Sequence, residues 1–274
     1  MSQKKKKILI LGGSGFIGNA LYKELYAYFD TYATYFNTDR GLSKNHKFIQ
    51  WDLETEDIGI MLQSIRPSII ISCLRGDFDA LVHQHQSLIQ YTLRYDAKII
   101  FLSSANVFDA FSNFPSYEYD KTLSESVYGR FKIKIENALL RLPNKNYAIV
   151  RLPMVFGKKS PRIEEIKEYI KNEVPIEVFP NVVVNATTIS KITQQLHYII
   201  NRSRRGVFHL GSDDLIHHDD LILDICQASG HDQPILKNVF DSNDDRYLAV
   251  IPKDNILPKN YHISIKEVVE ESVF

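Results

Sequence analysis

The feature that most constrains the fold is a glycine turn between a short apolar segment and an amphipathic one. Gly12, Gly15 and Gly18 follow the apolar segment Lys7–Leu11 at every third position. Apolar residues then recur at the spacing of a helix face, at Ile17, Ala20, Leu21 and Tyr28. A pyrophosphate at a helix N-terminus needs bare backbone N–H groups, which larger side chains here would obstruct. The pattern therefore predicts a strand–turn–helix unit that binds a dinucleotide.

Charge and composition exclude several classes of partner. The 274 residues carry a formal net charge of zero, and the basic run Lys4–Lys7 is typical of a solubilising tail. No apolar run is long enough to cross a bilayer, and the two cysteines, Cys73 and Cys226, stand in apolar settings. We therefore expect a cytoplasmic protein, without a disulfide framework, that binds neither nucleic acid nor membranes.

Short apolar or aromatic segments alternate with segments of helical length from the start of the chain. The strand-like segments are Lys7–Leu11, Thr31–Tyr35, Lys47–Trp51, Ser68–Cys73, Lys98–Leu102 and Tyr147–Arg151. The helix-like segments between them include Asp57–Ile65, Phe78–Tyr95 and Ser126–Leu140. Alternation of this kind is typical of βαβ units, and nearly continuous apolar strands indicate that both faces of the sheet are covered. The predicted fold class is α/β, a doubly wound parallel sheet of the Rossmann type.

The alternation becomes irregular after residue 151, where prolines and glycines interrupt the pattern. Val207–Leu210 is a further candidate strand, and a helix is expected from about Asp219 to Ser229, ending at Gly230. The expected parts are a Rossmann domain (residues 1–157 and about 185–210) and a smaller, discontinuous C-terminal substrate-binding domain (about 158–184 and 211–274).

Ser104, Tyr128 and Lys132 form a candidate catalytic set. Ser104 lies just beyond the fifth predicted strand, at the carboxyl edge where open parallel sheets bind their ligands. Tyr128 and Lys132 are four residues apart in a predicted helix, which puts both side chains on one face. An ammonium beside a phenol favours the phenolate and lowers the pKa of the tyrosine. Such a tyrosine can move a proton while a nicotinamide moves a hydride, and Ser104 can hold the reacting oxygen.

Two other patterns carry less weight. Tyr117 and Lys121 have the same spacing, but they lie in a segment that contains Pro115 and lacks helical periodicity. His217 and His218 precede two aspartates, yet adjacent residues of a helix point about 100° apart, and acids at a helix start are commonly caps. We therefore choose the pair Tyr128 and Lys132 for catalysis, and we expect no metal site.

Several motifs occur in one order along the chain: GGSGFIG at 12–18, WDL at 51–53, IRP at 65–67, SSANVF at 103–108, YGRFK at 128–132 and VRLPMVFG at 150–157. In order and spacing they resemble the extended short-chain dehydrogenases/reductases that act on nucleotide sugars. The chain is most similar to the dTDP-4-dehydrorhamnose reductase group and its sugar-epimerase relatives. The likeness covers about the first 160 residues, and GVFHLG at 206–211 extends it to about residue 230.

The resemblance implies a role for each matching position. Ser104 and Tyr128 would perform the chemistry, and Lys132 would hold the nicotinamide ribose. The family transfers a hydride to a 4-keto carbon of the sugar while the tyrosine supplies the proton. The implied cofactor-binding residues are Gly12, Ser14, Gly15, Phe16, Ile17 and Gly18 around the pyrophosphate, Asp52 and Leu53 beside the adenine, and Cys73 and Leu74 along the cofactor. A homodimer is also expected, since relatives usually pair through helices that flank the sheet.

Departures from the family keep two alternatives open. Rhamnose reductases usually carry an aspartate after the catalytic hydroxyl residue, whereas this chain has Ala105, which is more similar to the sugar 4-epimerases. A nucleotide-sugar epimerase or dehydratase is therefore the first alternative. Arg75, His83 and His85 are unusual near the expected pocket and favour the second alternative, a non-catalytic regulatory subunit that binds a dinucleotide.

The choice between NAD and NADP depends on the end of the second strand. An acid there binds the ribose 2′-hydroxyl, whereas an arginine accepts a 2′-phosphate. Asp39 and Arg40 are adjacent and point to opposite answers. We expect NADP through Arg40, with NAD as the alternative.

Overall fold

A computed structural model of the chain describes residues 5–37, 41–110, 113–240 and 242–274. Its strands are β1 (Lys7–Leu11), β2 (Asp30–Tyr35), β3 (Phe48–Gln50), β4 (Ile69–Ser72), β5 (Lys98–Ser104), β6 (Tyr147–Leu152), β7 (Met154–Phe156), β8 (Ile176–Val178), β9 (Val182–Val184), β10 (Ala186–Thr188), β11 (Gly206–His209), β12 (Ile216–His217), β13 (Leu236–Asn238) and β14 (Arg246–Leu248). Its α-helices are α1 (Phe16–Leu25), α2 (Ile58–Ile65), α3 (Phe78–Tyr95), α4 (Val127–Leu139), α5 (Pro161–Lys171), α6 (Ile189–Asn201), α7 (His218–Ala228) and α8 (Ile265–Ser272).

Within the described residues, seven strands form one sheet in the order β11-β6-β5-β4-β1-β2-β3. β1 lies in the middle and pairs in parallel with β2 on one side and β4 on the other. The chain therefore winds outward to β3, returns past β1, and winds outward in the other direction. This confirms the predicted doubly wound α/β fold and places a topological switch point between β1 and β4, where such sheets bind ligands.

The sequence explains why these elements form. β1 and β4 are almost entirely buried runs of Ile and Leu, as expected for strands covered on both faces. α2 begins where the Asp57 carboxylate accepts a hydrogen bond from the Gly59 N–H, and it ends at Arg66, whose φ is +53°. Pro67 follows and cannot continue the helix. The predicted bounds of β1 and α3 coincide with the structure, and the other predicted elements of the sheet agree to within about two residues.

The chain divides into two compact units, each with its own hydrophobic core. The first unit contains residues 1–103, 131–150 and 196–207, and its core joins the central strands to α2, α3 and α4. The second unit contains residues 104–130, 151–195 and 208–274, and its core joins α5, α7 and α8 to the short strands β7–β10.

The bounds of these units are not those of the expected domains, whose division stays a prediction. Residues 104–130 belong to the second unit because they are tied to the C-terminal part of the chain: Ser116 pairs with Val250, and the Glu118 carboxylate accepts backbone hydrogen bonds from 253–255. Residues 151–157 and 185–195 belong there as well, since β7 pairs in parallel with β10. Among the described residues, none of the helices has the length and apolar composition needed to cross a bilayer.

Candidate active site

The glycine turn brings the N-terminus of α1 close to the carboxyl end of β1. Gly12 has a φ of +82°, and its N–H donates to Thr34 Oγ1 at 2.9 Å. A Cβ at Gly12 would lie 3.0 Å from the carbonyl oxygen of Cys73, which follows β4. A Cβ at Gly18 would lie 2.2 Å from the carbonyl oxygen of Gly12, so only glycine permits this approach of helix and strand.

The geometry of this turn fits a pyrophosphate. Gly15 is the N-cap residue of α1, and within the described chain no side chain caps this helix end. The backbone N–H groups of the first turn therefore face a space bordered by glycine. The neighbouring residues Ser14, Phe16 and Ile17 are half-buried. An open helix N-terminus of this kind binds anions through its N–H groups and its dipole.

The other implied cofactor residues follow β3 and β4, as the sequence predicted. Asp52 follows β3, and its carboxylate accepts hydrogen bonds from Glu54 N–H at 3.0 Å and from Thr55 Oγ1 at 2.9 Å. Leu53 packs against the core of the first unit. Cys73 and Leu74 follow β4 and are half-buried; their backbone passes beside Gly12. The Asp52 carboxylate therefore stabilises the turn at residues 52–55, and this role alone is sufficient to explain an acidic residue at this position.

Ser104 is the last residue of β5, which runs two residues further than the predicted strand Lys98–Leu102. Its hydroxyl donates to Asn106 Oδ1 at 2.8 Å and accepts from the Asn106 N–H at 3.2 Å. The strand extends because both serines remain in β conformation before a 3₁₀ turn begins at Ala105.

Tyr128 and Lys132 lie in the first two turns of α4, as the predicted helix required. Tyr128 is 38% exposed, whereas Lys132 is only 4% exposed. Tyr128 and Ser104 belong to the second unit and Lys132 to the first. Joint action of the three side chains on one substrate therefore stays a prediction.

The Lys132 ammonium is held at the end of β5. Its Nζ donates to the carbonyl oxygen of Leu102 at 2.8 Å and lies 4.6 Å from the centre of the Phe101 ring. Burial lowers the pKa of Lys132 to about 8, opposed by Cys73 and by the Glu136 carboxylate one turn further along α4. The ammonium is thus largely protonated at neutral pH, and it is more acidic than a surface lysine.

Two buried polar pairs near this lysine were not predicted from the sequence. Ser103 donates to the Glu136 carboxylate at 2.5 Å, and Glu136 is 1% exposed. Ser72, at the end of β4, lies 3.0 Å from His85 Nε2, while His85 Nδ1 lies 2.6 Å from the carbonyl oxygen of Leu81. Because a carbonyl only accepts, Nδ1 carries the proton and Nε2 accepts from Ser72. For the pair of Ser103 and Glu136, the available signal in the sequence was that Glu136 follows Lys132 by one helical turn.

Asp109 fixes the start of α4 and was also missed. Its carboxylate accepts from the hydroxyls of Ser124 and Ser126, at 2.9 and 2.7 Å, and from the Glu125 N–H at 2.7 Å. Gly129, next to Tyr128, permits close packing here, since a Cβ would lie 2.0 Å from Ser124 Oγ. A glycine inside a predicted helix was the signal for this contact.

The remaining predictions fall outside the site. Arg40 and Asp39 lie outside the described residues. Tyr117 and Lys121 flank a turn at 118–119 and lie outside the helices, as the lack of helical periodicity predicted. His218 Nδ1 accepts from the Phe179 N–H, and within the described residues no group of three or more His, Cys, Asp or Glu side chains could hold a metal.

Together, the parallel sheet, its switch point and the glycine-lined helix end define a Rossmann-type protein with the fold of the extended short-chain dehydrogenases/reductases. The model of the family described as "RmlD substrate binding domain" matches residues 76–261. Since this is more than half of the chain, the protein belongs to that family. The resemblance to the dTDP-4-dehydrorhamnose reductase group is thereby confirmed.

Solved structures share this fold at low identity, and curated proteins are similar in sequence at low identity. The dTDP-4-dehydrorhamnose reductase of Bacillus anthracis in complex with NADP has a TM-score of 0.79 and 20% identity, covering 99% of each chain. The dTDP-glucose 4,6-dehydratase of the same organism in complex with NAD has a TM-score of 0.78 and 15% identity, covering 97% of this chain and 95% of that one. Methionine adenosyltransferase 2 subunit beta of Mus musculus is 24% identical over 262 residues, covering 86% of this chain and 76% of that protein.

The burial of His85 predicts a loss of stability in mild acid. Burial lowers the pKa of His85 to about 4, whereas an unfolded histidine titrates near 6.5. The folded state therefore binds fewer protons, so the contribution is present above pH 6.5 and is lost as the pH falls toward 4. We expect His85 to account for about 2 kcal/mol of the loss in unfolding free energy between pH 7 and pH 5. Chemical denaturation at both pH values measures it.

The matched control uses the neighbouring histidine of the same helix. His85→Gln should reduce the pH 7-to-5 loss by about 2 kcal/mol, whereas His83→Gln, at an exposed position, should leave it unchanged. An equal loss in His85→Gln and the original chain would contradict the burial argument.

Proposed function

We propose that the protein is an NAD(P)-dependent oxidoreductase that reduces a 4-keto carbon of a nucleotide sugar. The observation that carries this proposal is the open, glycine-lined N-terminus of α1 in the same chain as α4, which presents Tyr128 one turn before a buried Lys132. The reductase known in complex with NADP, which has this fold, supports the same assignment.

The dinucleotide would be held along the carboxyl edge of β1 and β4. Gly12, Ser14, Gly15, Phe16, Ile17 and Gly18 would border the pyrophosphate. Asp52 and Leu53 would border the adenine, and Cys73 and Leu74 the middle of the cofactor. When bound, the reduced nicotinamide supplies a hydride to the carbonyl carbon of the sugar.

The chain's own residues would manage the proton and the substrate oxygen. Ser104 would donate a hydrogen bond to the carbonyl oxygen, after turning from Asn106. Tyr128 would give its phenolic proton to that oxygen as the alcohol forms, and water would return the proton. Lys132 would hold the nicotinamide ribose and stabilise the phenolate by its positive charge, while the Leu102 carbonyl fixes its direction.

The preferred cofactor is proposed to be NADP. Arg40 follows the end of β2, where a guanidinium pairs with a 2′-phosphate, and Asp39 is the competing signal for NAD. Fluorescence titration with both reduced cofactors should show tighter binding of NADPH, and Arg40→Gln should reduce the difference by about tenfold. Equal affinity of the original chain for NADPH and NADH would contradict the preference.

An epimerase or dehydratase is the second candidate, favoured by Ala105 after Ser104. These enzymes return the cofactor to its starting state, so they consume no net NADPH. The dehydratase in complex with NAD, which has this fold, supports keeping this candidate.

A subunit without catalytic activity is the third candidate, because the curated relatives are named as a subunit of methionine adenosyltransferase 2. Cofactor binding without turnover of any 4-keto nucleotide sugar would favour it. The homodimer expected from the sequence stays a prediction.

The direct test of the reductase is Tyr128→Phe. Removing the phenolic proton should lower kcat for NADPH oxidation by at least about 100-fold with a 4-keto nucleotide sugar. The affinity for NADPH should change by less than about twofold, because the hydroxyl acts on the substrate oxygen. Stopped-flow or steady-state absorbance with a panel of such sugars gives both values.

Tyr117→Phe is the control, since it alters the competing tyrosine with the same spacing to a lysine. It should leave turnover within about twofold of the original chain. Unchanged turnover in Tyr128→Phe, or a loss confined to Tyr117→Phe, would refute the catalytic assignment.

A further inference from the structure

A cavity of the first unit lies at the opposite end of the sheet from the glycine turn. We call it the amino-edge cavity, since it opens where β1, β2 and β3 begin; its volume is about 380 Å³. Its lining residues are Lys5, Lys7, Tyr22, Tyr26, Phe29, Asp30, Thr31 and Lys47. β1 spans five residues, so the cavity lies roughly 15 Å from the glycine turn at the other end of that strand. It is therefore separate from the dinucleotide site proposed above.

One wall of the cavity is aromatic. Tyr22 and Tyr26 stack with ring centres 5.8 Å apart, and Tyr22 is fixed by an edge contact with Phe48 and a hydrogen bond from Asn45. Tyr26 remains 57% exposed, although an aromatic ring of this size gains from burial. The wall offers a preformed face on which a planar ring can stack.

Lysines also line the cavity. Lys7 Nζ donates to the carbonyl oxygen of Ile65 at 2.9 Å, and Lys5 Nζ donates to that of Ala27 at 3.1 Å. The Lys7 contact is to the last residue of α2 and the Lys5 contact is to the turn after α1, and each uses one of the three N–H groups of its ammonium. Lys47 is paired with Asp30 at 2.6 Å. Within the described residues, neither Lys5 nor Lys7 has a carboxylate partner, so two positive charges remain for an anion.

The surrounding sheet edge adds to this positive potential. Lys98 begins β5 at the same edge, and its pKa is lowered to about 8 by burial and by the nearby charges of Lys6 and Arg205. Cations thus accumulate where several strands begin, although the whole chain has a net charge of zero. A small anion would be attracted to this edge.

We propose that the amino-edge cavity binds a small aromatic anion, with its ring on Tyr26 and Tyr22 and its negative group on Lys5 and Lys7. Neither feature alone specifies this class, because lysines alone would take any anion and tyrosines alone any flat apolar molecule. The combination selects a planar ring that carries a phosphate or a carboxylate. A cavity of this volume accommodates a ligand of about the size of a substituted phenyl phosphate.

The test measures phenyl phosphate binding to the full chain by isothermal titration calorimetry, with NADP present at saturation to occupy the proposed dinucleotide site. Phenyl phosphate should bind at least about tenfold more tightly than phenol or inorganic phosphate, because it carries both the ring and the charge. Lys7→Gln and Tyr26→Ala should each weaken it by about tenfold. Lys5→Gln serves as the second charge variant if Lys7→Gln unfolds.

The matched controls lie on α1 and on the loop that follows α1, and neither residue lines the cavity. Lys23→Gln removes an exposed lysine of α1, and Tyr28→Ala removes a tyrosine that is 59% exposed; both should change the affinity by less than about twofold. Equal effects of lining and control variants, competition by NADP, or no measurable binding of phenyl phosphate would overturn the proposal. If the chain fails to bind NADP, the proposed function fails, while the comparison of variants still decides the cavity.

Discussion

The structure depends on the close approach of two backbone segments, the start of α1 and the turn after β1. A Cβ at Gly18 would lie 2.2 Å from the Gly12 carbonyl oxygen, and a Cβ at Gly13 would lie 2.5 Å from the Cβ of Ala33 in β2. Without side chains at these points, α1 packs directly on the central strand and directs its free N–H groups to the switch point of the sheet. The same close contact between α1 and the glycine turn therefore holds α1 on the core of the first unit and forms the candidate cofactor site.

A buried ammonium is the second determinant of the site. Moving the Lys132 charge out of water is costly, and the cost is offset by the Leu102 carbonyl, the Phe101 ring and the Glu136 carboxylate nearby. The same contacts hold residues 131–139 of α4 against β5. Within the second unit, Asp109 fixes the first turn of α4 through the hydroxyls of Ser124 and Ser126. The position of Tyr128 in that unit therefore depends on Asp109 and these two serines.

The sequence predicted local features well because local physics determines them. β1 and α3 have their predicted bounds, and the glycine positions follow from a requirement for close backbone approach that any such turn shares. The strand β5 was predicted two residues short, because polar serines at its end carry no strand signal.

The contacts that hold the second unit together could not be predicted in the same way. Arg151 is 2% exposed, and its guanidinium donates a hydrogen bond to the Glu118 carbonyl oxygen and lies 3.3 Å from His209 Nε2. Both partners are distant from Arg151 in the sequence. The Glu118 carboxylate in turn accepts the N–H groups of 253–255. Such pairings depend on how the chain returns on itself, and no periodicity or turn signal reports that. Residues 104–130 consequently group with the C-terminal part of the chain.

The central claim is that the glycine turn binds a dinucleotide, and Gly15 provides the most direct measurement. Gly15 has an ordinary extended backbone, and within the described residues a Cβ there would meet one atom, the Gly12 carbonyl oxygen, at 3.3 Å, so the turn must shift by a few tenths of an ångström. Gly15→Glu and Gly15→Ala should therefore lower the melting temperature by the same small amount, while only Gly15→Glu places a negative charge where the pyrophosphate would lie. In a fluorescence titration with NADPH, it should bind at least about 100-fold more weakly than the original chain, with Gly15→Ala as the uncharged control. Undiminished NADPH affinity in a folded Gly15→Glu protein, or no binding to the original chain, would contradict the account.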